Sequence, residues 1–135
     1  MIGLSRNLKV FGSIFAFYSL GFHYLLSRSL AAAHYDQIWM FASGYGLATF
    51  FTALILGAFD PVRRGRGDLG FQYHLVTYVV SVGVYVVWIF AGPTPEKQAI
   101  PGYLIGMGAW GLGLFVHYLA SRATIKGISK RKMFE

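Results

Sequence analysis

The sequence predicts an all-α integral membrane protein, an antiparallel bundle of four transmembrane helices. Three observations lead there. Hydrophobic residues make up 56% of the 135-residue chain and charged residues only 13%. A water-soluble core of this size cannot bury so much apolar surface, so the excess faces lipid or other proteins. Four runs, at 10–27, 38–59, 71–91 and 101–121, contain no Asp, Glu, Lys or Arg, and each matches the roughly 20 residues of helix that cross a bilayer. Ten of the twelve basic residues fall on one side of a four-span topology, leaving only Arg28 and Lys97 on the other. The positive-inside rule then puts both termini and the central loop in the cytoplasm.

Arg6 and Lys9 precede the first run, as in a signal peptide. The nearest A-x-A-like stretch is Ala31, Ala32 and Ala33 before His34; the run is expected to persist as a helix, with processing at that stretch as the alternative. The second run places Ala42, Gly46, Thr49, Ala53 and Gly57 at intervals of four, three, four and four, a ridge over which another helix backbone can approach closely. The central loop, 60–70, reads DPVRRGRGDLG. Its Pro and Gly residues end helices, its Gly spacing matches no nucleotide loop, and Arg63, Arg64 and Arg66 are placed to meet anionic headgroups or a partner.

In the third run His74, Thr77 and Ser81 share a face and can form an interhelical hydrogen-bonded stripe. The connection AGPTPEKQAIPG is a Pro-rich turn. The fourth run carries Gly102, Gly106, Ala109 and Gly113 as a second small-residue ridge. In the basic tail, 122–135, Lys126, Lys130, Arg131 and Lys132 are expected on anionic lipid, with docking to an acidic subunit as the alternative. Tyr24, Tyr35, Trp39, Tyr73, Trp88, Tyr103 and Tyr118 gather near the expected interfaces as an aromatic belt.

The stretch HLVTYVV from His74, the Pro101–Gly102 entry and WGLGLFVH from Trp110 to His117 resemble the bacterial 2TM domain, a small membrane module. The likeness covers about 71–121. It lacks the Asn that members often carry eight residues after the first His, where this chain has Val82. The resemblance implies a membrane module found alone or appended to signalling proteins, with no established chemistry, and a bacterial inner (cytoplasmic) membrane location.

Chemistry has few places to reside. Cysteine is absent, removing disulfides and thiolate chemistry. Asp36, Asp60, Asp68, Glu96 and Glu135 all fall outside the four runs, so no carboxylate proton relay or cation site lies within them. No Ser, His and acid set can be assembled either, and an enzyme acting alone is not expected. Histidine is the ionisable type left. His74 and His117 lie similarly far from the cytoplasmic ends of neighbouring antiparallel helices, within about one helical turn in depth. Three readings stay open: structural histidines with no cofactor, the axial ligands of a haem b, or contact with a metal or a quinone.

His23 begins HYLLSRS, a near copy of HYLASRA at His117, with five of seven residues the same. The two copies end helices running in opposite directions, so they fall on opposite faces and cannot share a site.

The expected function is a non-catalytic accessory or scaffold subunit that packs against a larger membrane complex. Its partners are membrane lipids and other membrane subunits, with no nucleic acid. A haem b anchor exchanging electrons with quinone is the alternative, and a membrane-embedded sensor module is a further one.

Overall fold

The computed structural model describes residues 4–61, 69–92 and 100–132, the last eleven of these and Gly102 by their backbone alone. The described residues form α1 (Arg6–Ala31), α2 (Tyr35–Ala58), α3 (Leu69–Ala91) and α4 (Ile100–Lys132), with no strand among them. All four are long and apolar enough to cross a membrane, which is compatible with an integral membrane protein.

α1 is the central helix. It packs against both α2 and α3, whereas the main neighbour of α4 is α3. The reason lies in its side chains. Leu8, Phe11, Phe15, Ser19, His23 and Leu26 are buried, at steps of three or four that stack on one helical face. The opposite face, with Phe17, Leu20 and Tyr24, is exposed. Phe11 packs between Phe15 and Tyr73, with ring centroids 5.8 and 5.0 Å away, and Leu8 and Leu69 complete this cluster. Gly12 permits the close α1–α3 approach, since a Cβ there would stand 3.2 Å from Val76 Cγ1.

The end of the bundle that holds the start of α1 is closed by a carboxylate. Ser5 caps α1, its Oγ accepting from the Leu8 amide at 3.0 Å, and the same hydroxyl donates to Asp60 just beyond α2. Tyr73 donates to the same carboxylate oxygen at 3.4 Å, while Asn7 donates to the Leu56 carbonyl at 3.0 Å. Asp60, expected to be a loop residue, is therefore buried. It ties three helices together at the positive end of the α1 dipole.

At the other end α1 turns into α2 through Ala32, Ala33 and His34. Ala33 takes a left-handed conformation (φ 57°), which costs a non-glycine residue about 1 kcal/mol.

The helix bounds extend the apolar runs. α1 takes in Arg6, Lys9 and Arg28, and α4 continues through the basic stretch to Lys132 without a break. Exposure of Tyr24, Tyr35 and Trp39 suits an interfacial belt. Tyr73, Trp88 and Tyr103 each find a polar or aromatic partner inside the bundle.

Candidate functional site

Two cavities run end to end along the bundle, sharing Tyr45 and Trp110 in their walls. The inner one lies toward the Asp60 end and the outer one toward the α1–α2 turn.

The inner cavity, about 650 Å³, is an apolar groove. The ridge residues Gly46, Ala53 and Gly57 on α2 line it, facing Tyr73, His74 and Thr77 on α3. A Cβ built on Gly46 would meet nothing within 4 Å, and one on Gly57 would reach only the Tyr73 ring, at 3.9 Å. α2 has no fully buried residue, so this ridge is open to an occupant. On α4, Gly106 and Gly113 likewise face open space. The close approach at α4 occurs instead at Gly111, where a Cβ would stand 3.0 Å from the Tyr78 hydroxyl. Packing around Gly102 lies outside the described residues.

His74 and His117 meet across the α3–α4 contact, ring centroids 5.3 Å apart and planes at 62°. Phe71 meets His117 edge-on, with centroids 5.9 Å apart. His74 and His117 are the two imidazoles that would hold a haem iron, whose potential the surrounding residues would tune. The open space at Gly113, one turn before His117, would give a flat group room on α4. A metal site needs more donors than two. Among the described residues no group of three His, Cys, Asp or Glu side chains is placed to hold an ion.

The outer cavity, about 500 Å³, is lined by residues of all four helices and dominated by rings. His23 is its most unexpected member. It is only 5% exposed. It lies among Tyr85, Trp88 and Tyr103, with centroids 5.8, 5.9 and 5.9 Å away and planes inclined by 28–35°. The shell is itself held in place. Trp88 Nε1 donates to Ser27 at 3.0 Å, Tyr85 stacks on Tyr103 at 4.2 Å, and the Tyr45 and Ser19 hydroxyls stand 2.9 Å apart. The signal for this site was the α1 spacing, which puts His23 in register with Phe11, Phe15 and Ser19.

No protein-family model, curated protein or solved structure matches this chain. Its site must be read from its own residues.

His23 and His117, the heads of the near-repeat, have separate neighbours: Trp88 and Tyr103 for the first, Phe71 and His74 for the second. They stand at opposite ends of the bundle. Arg63, Arg64 and Arg66 lie outside the described residues. Lys126, Lys130, Arg131 and Lys132 fall on the last turns of α4, where only the backbone is described.

Proposed function

We propose that the protein is a non-catalytic accessory subunit of the bacterial inner membrane, packing the α2 ridge against a transmembrane helix of a larger complex. The observation that carries this reading is the groove along Gly46, Ala53 and Gly57, on a helix that fully buries none of its own residues. In lipid, close backbone contact over small residues is what holds helices together, because burial from lipid supplies little drive. The basic residues support an orientation with both termini in the cytoplasm. There Arg63, Arg64, Arg66 and the basic end of α4 meet anionic headgroups. The resemblance of 71–121 to the 2TM domain suits a module that works beside other proteins.

Native purification in mild detergent is expected to give an assembly of fixed stoichiometry, well above the 15.0 kDa of the chain. Gly46→Phe fills the open ridge and should release the monomer, while Phe17→Ala, on the exposed face of α1, should leave the assembly whole. A stable, partnerless monomer across several mild detergents contradicts the proposal.

The His74–His117 contact favours one second reading, a haem b anchor exchanging electrons with quinone, in which these two imidazoles hold the iron and α3 and α4 set its surroundings. A reduced-minus-oxidised absorption spectrum of protein made with ample haem tests it. This reading expects a Soret and an alpha band, both lost in His117→Ala; their absence in the wild type rules it out.

A further inference from the structure

We infer that the outer cavity around His23 is an aromatic cage for a quaternary ammonium group, the trimethylammonium chemistry of choline. The site is separate from the α2 ridge and from the His74–His117 pair, and it rests on neither of those readings.

The composition of the walls comes first. Of the nine described residues that line the cavity, six carry rings: Phe22, His23, Tyr45, Tyr85, Tyr103 and Trp110. None of the nine is Leu, Ile or Val, although the chain is 56% hydrophobic and the inner groove takes Leu54 and Leu69 into its lining. A neutral apolar guest is served as well by aliphatic side chains as by rings. A cation is not, because a ring presents a face of negative potential, and Trp and Tyr suit it well.

The orientation of the rings points the same way. Phe22 and Tyr45 stack at 16°, and Tyr85 and Tyr103 at 23°. His23 goes with the second pair, inclined to its members by 30° and 35°, whereas Phe22 stands at 63° to His23. The lining is therefore two crossed sets of rings. A flat guest can stack on only one set, while a round trimethylammonium can touch faces of both.

Polarity then separates the kinds of cation. A primary ammonium carries three N–H donors that need acceptors when water is removed, and no Asp or Glu lines the cavity to supply them. A quaternary ammonium has no N–H, and its charge is spread over methyl groups that ring faces alone can meet. It asks nothing of the imidazole or hydroxyls in the lining. No Lys or Arg stands there to repel it.

The cavity, about 500 Å³, falls within the few hundred to a thousand Å³ usual for small-molecule sites. Gly106 lies in its α4 wall, is exposed, and a Cβ there would meet nothing within 4 Å. A chain attached to the bound group can leave over Gly106.

The test uses the full chain labelled with 5-fluorotryptophan in phosphatidylglycerol nanodiscs, with choline as the probe. Its neutral counterpart is 3,3-dimethylbutan-1-ol, which has carbon in place of the nitrogen. Trp110 lines the cavity, and Trp39, 79% exposed on α2, is the internal control. The expected result is a saturable shift of the Trp110 fluorine signal with choline, none at Trp39, and binding of the neutral alcohol weaker by about fivefold or more. Phe22→Leu and Tyr103→Leu keep the walls apolar, and each should weaken choline about fivefold while leaving the alcohol unchanged. Should neither variant fold, the comparison of choline with the alcohol in the wild type decides. Phosphatidylcholine nanodiscs distinguish the two sources of the group, and either result upholds the cage: a lipid headgroup would occupy it and abolish the choline response, whereas a site for a soluble cation would respond as before. No saturable shift at Trp110, equal binding of choline and the alcohol, or choline binding unchanged in both ring variants overturns the inference.

Discussion

Phe11→Ala is expected to destabilise the bundle by roughly 2–4 kcal/mol, read as a shift in the midpoint of unfolding by a denaturing detergent in mixed micelles. Phe11 has 0% exposure and touches rings on both sides, so truncation leaves a cavity that neighbouring helices cannot easily close. In water-soluble cores such a change costs about 3–5 kcal/mol, part of it lost transfer from water. Transfer from lipid contributes little, and the loss here is mainly of packing. The control is Phe17→Ala. That ring is 74% exposed on the same helix, and its removal should cost no more than about 0.5 kcal/mol. Equal effects at the two positions would mean that α1 is not the central helix.

Asp60→Leu has the second largest expected effect, about 2–4 kcal/mol by the same measurement. The substitution removes the acceptor for Ser5 and Tyr73 and strands both hydroxyls where burial keeps water away. Each buried polar group left without its partner costs about 1–3 kcal/mol. It also removes a negative charge from the N-terminal end of α1, where the helix dipole favours one. Asp60→Asn keeps an acceptor oxygen but not the charge, and should fall between wild type and Asp60→Leu. Ser5→Ala and Asp60→Asn share one hydrogen bond, so together they should cost less than the sum of their separate effects. Additive costs, or a Leu variant as stable as wild type, would show that this carboxylate does not hold the helices together.

The four spans were legible because lipid permits few alternatives. A segment without charges that is long enough to cross must satisfy its backbone as a helix, and 38–59 and 71–91 lie within three residues of α2 and α3 at either end. The inner pairing of His74 with His117 was legible for a related reason, since antiparallel neighbours of known rise put equal distances from the ends at equal depth.

Which face of each helix turns inward was harder to read. In soluble proteins polar residues mark the outer face, but α2 and α4 are apolar nearly all round. The glycine ridges identified a face on each helix without identifying a partner, and a Cβ added at Gly46, Gly106 or Gly113 would meet nothing within 4 Å among the described residues. His23 was obscured in the same way. Its position near a helix end suggested an interfacial residue, whereas the Ser19–His23–Ser27 register on α1 turns it inward with two hydroxyls. Asp60 was hidden because its partner, Ser5, lies fifty-five residues away, beyond the reach of any local pattern.

The most direct test of the proposed subunit role is site-specific photo-crosslinking in native membranes, with a photoreactive residue at Phe50 or at Phe17. Phe50 is 59% exposed and lines the groove of the α2 ridge, and Phe17 is 74% exposed on the far face of α1. The subunit reading predicts one protein adduct of defined mass from position 50, abolished by Gly46→Phe, and only lipid adducts from position 17. Lipid adducts alone from both positions, or the same protein adducts from both, would contradict it.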